Sequence, residues 1–314
     1  MIWVTGCSGM LGAEICRGLL RGKKDFIGTG SELDISDFEK AESFSYDKNI
    51  SAIINCAAYT SVDKAESEPR AAEKANVAGP ENLSRIAEKK GAAIIHFSSD
   101  YVFDGTSTAP YKEDDPVSPL GIYGATKAEG DDRIRRSQSL HYIIRTSWLY
   151  GDGENNFPAK IIRLLNSRDE IKVVDDQKGS PTFCRTVSDA VIKIIGRLGT
   201  DMQIPAGTYN LTDSGEATWF DFAREIRRLG IECGAVKNTE CRITACTSEE
   251  FNSIAKRPHY SVLDKTKIRQ TLKIMPPDWK DSLADFFSLM QPNQQNGFSA
   301  RCRDICQGCR PNPA

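Results

Sequence analysis

The chain has 314 residues, with 41 basic and 43 acidic side chains and a formal net charge of −2. This balance excludes the broad basic surface of a protein that binds nucleic acid or an acidic membrane. Hydrophobic residues make up 39% and charged residues 27%, which is typical of a globular protein with one large or two ordinary domains. No apolar run reaches ~18 residues, so we expect no transmembrane helix. The chain starts on a strand pattern instead of a signal peptide, which predicts reduced cysteines and a cytoplasmic location.

A glycine-rich turn near the start predicts a dinucleotide site. Residues 1–5 form an apolar strand pattern, and residues 13–20 have helical spacing. Between them, Gly6 suits a tight turn, Gly9 lets a diphosphate approach the backbone, and Gly12 lets the helix pack closely on the strand. The N-terminus of the helix adds free N–H groups and a partial positive charge. We therefore expect Gly6 and Gly9 to contact a dinucleotide.

The second predicted strand, residues 26–29, leaves the choice between NAD and NADP open. In NAD sites an acidic residue often ends this strand and holds the ribose 2′-hydroxyl. Here the strand runs into Gly28-Thr29-Gly30-Ser31, with neither an acid nor an arginine. Asp34 and Ile35 come slightly later and are expected to line the adenine pocket. Ser36 and Glu39 match a capping box, which predicts a helix to about residue 46.

Strand and helix patterns then alternate. Strands are predicted at residues 52–58, 92–97 and 142–148, and helices at residues 63–74, 80–90 and 123–137. This order predicts an α/β fold with a Rossmann-like, doubly wound parallel sheet. Ligands of such sheets bind beyond the carboxyl ends of the strands. Gly6, Ala57 and Ser99 lie at such ends, so we expect them to share one site.

The second half reads as a smaller, mixed α/β domain that binds substrate. Helices are predicted at 157–167, 187–198, 219–229, 264–272 and 281–290, and strands at 171–174, 207–211 and 242–245. The helix at 187–198 is expected to return to the sheet. We predict a dinucleotide-binding domain at 1–150, completed by parts of 183–212, a mainly substrate-binding domain at 151–291, and a disordered tail at 292–314.

Tyr123 and Lys127 are four residues apart on a predicted helix, so their side chains share one face. The pKa of a free tyrosine is about 10, which makes it a poor acid–base group at neutral pH. A nearby ammonium favours the phenolate and lowers the pKa of the tyrosine. The pair therefore predicts a tyrosine that exchanges a proton with substrate. By itself the spacing also fits two solvent-facing residues.

A series of motifs, in order along residues 1–290, resembles the extended short-chain dehydrogenase/reductase superfamily and, within it, the dTDP-4-dehydrorhamnose reductase family. The matching segments are Thr5-Gly6-x-x-Gly9-x-Leu11-Gly12, Leu33-Asp34-Ile35, Asn55-x-Ala57-Ala58-Tyr59-Thr60, Asn76-Val77-x-Gly79-Pro80, Ser98-Ser99-Asp100-Tyr101-Val102-Phe103, Tyr123-Gly124-x-Thr126-Lys127, Arg145-Thr146-Ser147-Trp148, Asn155-Asn156-Phe157, Asp176-Gln177-x-Gly179-x-Pro181 and Arg257-Pro258-x-x-Ser261. Met10 stands where the family usually has glutamine, at a position that contacts cofactor largely through its backbone.

The resemblance implies reduction of the C4 ketone of dTDP-4-dehydro-L-rhamnose to dTDP-L-rhamnose by NADPH or NADH, with NADPH favoured. Tyr123 would donate the proton, and Lys127 would hold the nicotinamide ribose and lower the pKa of Tyr123. Ser99 would hydrogen-bond the carbonyl oxygen as charge develops. The resemblance also allows a homodimer. The family's metal site has no matching motif here, so no metal is expected.

The resemblance also implies two sets of binding residues. The expected cofactor contacts are Gly6, Ser8, Gly9, Met10, Leu11, Asp34, Ile35, Ala57, Ala58, Tyr59, Tyr123 and Lys127. The expected substrate contacts are Ser99, Asp100, Trp148, Asn156, Gln177, Arg257 and Tyr260. Arg257 is suited to a diphosphate, because a guanidinium can bind two oxygens at once.

Other assignments stay open from the sequence. Another nucleotide-sugar reductase or an epimerase of the same superfamily is one alternative, and a non-catalytic subunit like the regulatory subunit of methionine adenosyltransferase is another. His96 and His141 are expected to be structural, because they lie in or beside strands without partner spacing. Cys302, Cys306 and Cys309 have spacing that can hold an iron–sulfur cluster, but their polar, terminal setting favours a disordered tail or an appendage.

Overall fold

The computed structural model describes residues 1–137 and 139–289. Its first half alternates strands and helices. These elements are β1 (Ile2–Thr5), α1 (Met10–Arg21), β2 (Phe26–Thr29), α2 (Phe38–Ser45), β3 (Ala52–Asn55), α3 (Val62–Ser67), α4 (Pro69–Glu73), α5 (Gly79–Lys90), β4 (Ala93–Ser99), α6 (Ile122–Arg136) and β5 (Leu140–Thr146). A π-helical turn at Lys74–Ala78 joins α4 to α5, and a 3₁₀ turn at Asp100–Val102 follows β4.

The second half has shorter strands. Its elements are β6 (Leu149–Tyr150), α7 (Phe157–Ser167), β7 (Glu170–Val174), β8 (Lys178–Gly179), β9 (Thr182–Phe183), α8 (Cys184–Arg197), β10 (Gly207–Asn210), β11 (Ala217–Thr218), α9 (Trp219–Glu232), β12 (Arg242–Cys246), α10 (Ser248–Phe251), α11 (Thr266–Leu272) and α12 (Trp279–Leu289).

A parallel sheet organises the fold. Its six strands lie in the order β10-β5-β4-β3-β1-β2, and every neighbouring pair is parallel. The chain crosses over from β1 to β2 on one side and from β3 to β4 and β5 on the other, so the sheet is doubly wound. The expected fold class is confirmed. β10 comes from the second half of the chain and pairs with β5 from Tyr142 to Arg145.

Apolar clusters lie on both faces of this sheet. α1, α8 and α11 cover one face, around Ile15, Val191 and Ile268. α2, α5 and α6 cover the other, around Trp3 and Leu83. A separate cluster joins α7, α9 and α12 in the second half. In the described part of the chain, no helix is long and apolar enough to span a membrane.

The cap of α2 differs from the prediction. The sequence indicated Ser36 as the first residue of a capping box, but the N-cap is Asp37, whose carboxylate accepts from the backbone N–H of Lys40 at 3.2 Å. The Ser36 hydroxyl instead donates to Asp34 at 2.6 Å. Ser36 cannot cap the helix because its hydroxyl is held by the preceding Asx-type turn.

Other boundaries also differ from the prediction, and two of them have a clear physical reason. The helix predicted at residues 63–74 is broken at Glu68, because Pro69 lacks a backbone N–H and starts a new helix as the first residue of α4. The strand predicted to reach Trp148 ends at Thr146, and Trp148 has a φ of +46°, which cannot continue a strand. The predicted tail at 292–314, with Cys302, Cys306 and Cys309, lies outside the described residues.

Candidate active site

A cleft of about 740 Å³ runs along the carboxyl edge of the sheet. Its walls come from the glycine turn after β1, the ends of β3, β4 and β5, the start of α6, and the loop after β6. Trp219 from the second half closes one side. Because the strands are parallel, their carboxyl ends lie at the same edge of the sheet, and the residues that follow them meet there. This placement brings Ser99, Tyr123 and Lys127 to the same cleft as the glycine turn.

The glycine turn forms a backbone cradle. Gly6 has a φ of +63°, and a Cβ at this position would lie 2.6 Å from the backbone nitrogen of Ala57. A Cβ on Gly12 would clash with the carbonyl of Gly6. The N-cap of α1 is Gly9, with no side-chain capping bond, so the first N–H groups of the helix are left for a ligand. A side chain at Gly6 or Gly12 would close the cradle, and the residues present fit a dinucleotide diphosphate.

Seven of the twelve expected cofactor contacts line the cleft: Ser8, Gly9, Met10, Leu11, Ala58, Tyr123 and Lys127. Gly6 and Ala57 do not line it themselves, and their backbones lie against each other, since a Cβ at Gly6 would be 2.6 Å from the nitrogen of Ala57.

Asp34, Ile35 and Tyr59 point elsewhere. Asp34 is bound by Lys74 at 2.8 Å and by Ser36, and its pKa is lowered to about 2, chiefly by Lys74. The Ile35 side chain is buried in the apolar core. The Tyr59 hydroxyl donates to Glu68 at 2.6 Å. None of the three side chains lines the cleft. Asp34 and Tyr59 are hydrogen-bonded to neighbouring side chains, and Ile35 packs in the core.

Ser99 is the last residue of β4 and is buried. Its hydroxyl donates to Oδ1 of Asp100 at 3.0 Å and accepts from the backbone N–H of Tyr101 at 3.1 Å. Ser99 therefore caps the 3₁₀ turn that follows the strand. Ser99 and Tyr123 line the same cleft, which places a donor, an acceptor and a phenol together at the end of β4.

The phenol of Tyr123 contradicts one prediction. The sequence indicated that Lys127 lowers the pKa of Tyr123, but burial raises this pKa to about 12. Ser99 opposes this rise, whereas Asp100 and Asp131 add to it. Helical spacing does place both side chains on one face, but the Lys127 amine donates to the carbonyl of Phe97 on β4. Tyr123 is accordingly protonated at neutral pH.

Lys127 is buried, and its amine points toward β4. Its Nζ donates to the carbonyl oxygen of Phe97 at 2.6 Å and lies 3.3 Å from Nε2 of His96. Burial lowers the pKa of Lys127 to about 8, against an opposing effect of Asp131. The amine therefore changes charge close to neutral pH. Lys127 is buried but still lines the cleft.

Asp100 joins the two halves of the chain. Its carboxylate accepts from Ser99 and, through Oδ2, from the hydroxyl of Ser261 at 2.6 Å. Burial raises the pKa of Asp100 to about 6. The expected sugar contact is therefore part of a buried hydrogen-bonded group, although the residue also borders the cleft.

Two stacked tryptophans form the side of the cleft nearest the second half. The rings of Trp148 and Trp219 are 3.5 Å apart and nearly parallel, at 9°. Gly179 lies beneath Trp148, and a Cβ at Gly179 would come within 2.7 Å of the indole. The indole N–H of Trp219 donates to Gln177 at 3.2 Å. Stacked indoles provide a rigid apolar wall of the kind that packs against sugar or base rings.

The other expected substrate contacts separate into three groups. Gln177 and Arg257 line a neighbouring cavity of about 250 Å³, together with Tyr101 and Trp219. Asn156 borders the main cleft, but its side chain caps α7 and bonds the carbonyls of residues 151 and 153. Tyr260 packs against the apolar cluster of residues 102, 103, 111 and 263 and lines neither cavity.

Arg257 is held by neighbours of its own. It donates to Asp63 on α3 at 2.7 Å and to Ser253 at 2.6 Å. Its guanidinium therefore bridges the two halves of the chain while facing the smaller cavity. Within residues 1–137 and 139–289, no group of three or more His, Cys, Asp or Glu side chains could hold a metal ion.

Sequence reasoning missed several residues that the fold brings to the site. Trp219 borders both cavities, but its sequence context shows only an amphipathic helix. Asp131 could have been found, because it lies four residues after Lys127 on the same face of α6. His96 was expected to be structural, yet its ring contacts the amine of Lys127.

A doubly wound parallel sheet, a backbone cradle after its first strand, and a serine, tyrosine and lysine across the same cleft are the features of a short-chain dehydrogenase/reductase. The family model described as the RmlD substrate binding domain matches residues 1–291, and the chain belongs to this family.

Named relatives agree with this assignment. The dTDP-4-dehydrorhamnose reductase of Aggregatibacter actinomycetemcomitans is 36% identical over 282 residues, which cover 89% of this chain and 96% of that protein. The crystal structure of a dTDP-4-dehydrorhamnose reductase from Clostridium acetobutylicum is 39% identical, with a TM-score of 0.84 over 92% of this chain and 99% of its own. A reductase of the same name from Bacillus anthracis, solved with NADP, is 33% identical, with a TM-score of 0.84 over 91% and 98%.

Proposed function

We propose that this protein is an NAD(P)H-dependent reductase that converts the C4 ketone of dTDP-4-dehydro-L-rhamnose into the hydroxyl of dTDP-L-rhamnose. The observation that carries the proposal is the shared cleft, in which Ser99, Tyr123 and Lys127 face the glycine cradle. The relatives that match nearly the whole chain carry this activity in their names. The reductase family expected from the sequence is confirmed.

Tyr123 is the proposed proton donor. When bound, the reduced dinucleotide supplies a hydride to the ketone carbon, and the ketone oxygen then needs a proton. Because burial holds the pKa of Tyr123 at about 12, the phenol is protonated at neutral pH and can give a proton to an alkoxide, which is a stronger base. A lowered pKa, as expected from the sequence, is not needed for reduction in this direction.

Ser99 and Lys127 have supporting roles in this proposal. The Ser99 hydroxyl lines the same cleft as Tyr123, so by rotating away from Asp100 it can donate to the same ketone oxygen. Such a donor contributes about 3 kcal/mol to the transition state. The Lys127 amine donates one hydrogen to the carbonyl oxygen of Phe97 on β4, which leaves another hydrogen for the ribose of the cofactor.

The substrate side lies in the second half of the chain. We propose that residues 151–291 mainly bind substrate, on the dinucleotide-binding frame of residues 1–150. The stacked Trp148 and Trp219 face the sugar, and Gln177 and Arg257 face the nucleotide part in the smaller cavity. Arg257 supplies the positive charge that a diphosphate needs.

NADPH is the proposed preferred cofactor, with NADH as a second donor. The related reductase of Bacillus anthracis was solved with NADP. In this chain the end of β2 carries glycine, serine and threonine, so no carboxylate stands at the point where NAD-specific sites hold the ribose.

We also propose a cytoplasmic location, because the thiols of Cys56, Cys184 and Cys246 are free, as is usual in a reducing compartment. A homodimer stays a prediction, which light scattering of the purified protein tests.

The deciding experiment supplies dTDP-4-dehydro-L-rhamnose, made in place from dTDP-glucose by the two preceding reactions, and follows the loss of nicotinamide absorbance. We expect substrate-dependent oxidation of NADPH and slower oxidation of NADH. Bound NAD that does not exchange with added NADPH would instead favour an epimerase. Dinucleotide binding without any turnover, together with capture of a synthetase, would favour a regulatory subunit.

A further inference from the structure

We propose that His96 is a positioning residue for Lys127: Asn55 holds the neutral imidazole with its proton on Nε2, and this N–H faces the Lys127 amine. The inference rests on the proposed function for its consequence in turnover. Its structural part rests on a hydrogen-bond network that runs from the backbone N–H of Ala57 to the amine of Lys127. The residues of this network come from β1, β3, β4 and α6.

The orientation of the Asn55 side chain is set by a backbone group. Oδ1 of Asn55 lies 3.1 Å from the backbone nitrogen of Ala57, which can only donate. The hydroxyl of Thr5 donates to the same oxygen at 2.8 Å. A flipped amide would place N–H against N–H, so the amide nitrogen must point the other way.

That amide nitrogen lies 3.0 Å from Nδ1 of His96. Since the amide can only donate, Nδ1 must accept, and it carries no proton. A neutral imidazole with a bare Nδ1 has its proton on Nε2. An imidazolium would put two donors face to face, and burial also lowers the pKa of His96 well below its ordinary value. His96 is therefore one defined tautomer over the whole neutral range.

The Nε2–H of His96 opposes the charged form of Lys127. Nε2 lies 3.3 Å from Nζ of Lys127 and 3.7 Å from Oδ1 of Asp131, an oxygen for which the described residues provide no hydrogen-bond partner. A neutral amine can accept from Nε2–H through its lone pair, whereas an ammonium meets it donor to donor. The ring thus favours the neutral amine, and Asp131 favours the ammonium.

The other charged groups near this amine come from two elements. α6 provides Asp131, whose second oxygen accepts from Ser98, and also Arg135. β5 provides Arg145, with Nε 3.9 Å from Asp131. Both arginines interact with the Asp131 carboxylate, and this weakens the attraction between Asp131 and the Lys127 ammonium. The Tyr123 phenol on α6 is neutral at the same pH, and the Phe97 carbonyl accepts from either form of the amine, so His96 is the direct contact that favours one form of Lys127 over the other.

The first test reads the tautomer directly and does not depend on activity. The chain has three histidines, so two-bond proton–nitrogen spectra of the labelled protein are simple to assign with His141→Gln and His259→Gln. We expect His96 to show a protonated Nε2 and a bare Nδ1 from about pH 6 to about pH 9. An imidazolium, or a proton on Nδ1, in this range would overturn the proposal even if the protein is an active reductase.

The second test moves the charge equilibrium of Lys127. In His96→Gln an amide oxygen can accept from the ammonium. In Asn55→Asp the carboxylate accepts a hydrogen bond from Nδ1–H, so it holds the imidazole proton on Nδ1 and leaves Nε2 bare. Both changes stabilise the ammonium, so the alkaline limb of kcat/KM for NADPH should move upward by about one pH unit. The matched control, His141→Gln, should leave the limb in place, because the His141 ring has a hydrogen bond to the carbonyl of Ser139 and none to Lys127.

Two results separate a positioning role from a structural one. If His96→Gln folds and lowers turnover at every pH without moving the limb, the ring is merely structural and the proposal fails. If His96→Gln does not fold, Asn55→Asp still decides, because its spectrum must show the proton on Nδ1 and its limb must shift. A protein with the expected tautomer but no reductase activity would refute the proposed function alone, and the pH dependence of NADPH binding would then report the charge of Lys127.

Discussion

The hydroxyl of Ser261 donates to Oδ2 of Asp100 at 2.6 Å, and both residues are buried. The other oxygen of Asp100 accepts from Ser99 at 3.0 Å. A serine from the second half of the chain and the serine at the end of β4 thus share one carboxylate. The relationship shows how the second half completes the cleft, since the carboxylate beside Ser99 depends on a donor that lies 161 residues away along the chain.

Replacing Ser261 with alanine should destabilise the protein more than an ordinary serine replacement. A buried carboxylate oxygen that loses its donor costs about 1–3 kcal/mol of the free energy of unfolding. Urea unfolding at neutral pH measures this loss. Ser288→Ala is the matched control, because its exposed hydroxyl bonds only to its own helix, and we expect a change below about 0.5 kcal/mol.

The loss in Ser261→Ala should also depend on pH. The folded pKa of Asp100, about 6, lies above the unfolded value, so the folded protein binds the proton more tightly and stability falls as pH rises toward this pKa. Removing a donor that lowers the pKa extends this fall to higher pH. The difference from the unchanged protein should therefore be larger at about pH 8 than at about pH 5. An equal difference at both pH values would contradict the assignment of the donor to the ionised carboxylate.

Tyr123→Phe should leave NADPH binding largely intact and lower turnover by a factor of ~100 or more. The ring contact with Tyr101, at 5.5 Å, does not involve the hydroxyl, so the local packing is retained. Fluorescence titration with NADPH and single-substrate kinetics measure the two effects. Tyr46→Phe is the control, because Tyr46 is 81% exposed and should leave both values unchanged. Near-normal turnover in Tyr123→Phe would remove this residue from the role of proton donor.

Arg257→Met should raise KM for the nucleotide sugar at least ~10-fold and change kcat less, because a contact to the diphosphate binds substrate and transition state alike. Asp63→Asn should raise KM less, since it only weakens the hydrogen bond that positions the Arg257 guanidinium. Arg228→Met, on the exposed side of α9 and paired with Glu225, provides the control. An unchanged KM in Arg257→Met would show that the guanidinium serves the Asp63 bridge alone.

Gly179→Ala should disturb the tryptophan stack. The added Cβ would lie 2.7 Å from the Trp148 ring, so the indole must shift away from Trp219. We expect kcat/KM for the nucleotide sugar to fall by ~10–100-fold, with a change in tryptophan fluorescence. Gly196→Ala is the control, because its Cβ would meet no atom within 4 Å and the change should stabilise α8 by up to ~1 kcal/mol. Normal kinetics with an altered fluorescence would exclude the stack from substrate binding.

Local patterns were enough for much of the fold. β2 and α7 begin and end at the predicted residues, because each is bounded by strong signals: the capping Asn156 precedes α7, and β2 lies between the charged residues 23–25 and Gly30-Ser31. Predictions failed where two local options competed. Ser36 matched a capping box, but its hydroxyl bonds Asp34, and Asp37 caps the helix instead. Pro69 broke a helical pattern that apolar spacing alone would continue.

The sequence by itself determined the parallel sheet, the glycine cradle and the presence of Ser99, Tyr123 and Lys127. The alternation of strands and helices and the helical spacing are local patterns, and parallel strands bring their ends to one edge. Only the tertiary structure decided the charge of these groups. Burial, which no spacing reports, raises the pKa of Tyr123 and lowers that of Lys127. The tertiary structure also brought His96, Trp219 and Ser261 to the site, because contacts between distant segments depend on how the whole chain packs.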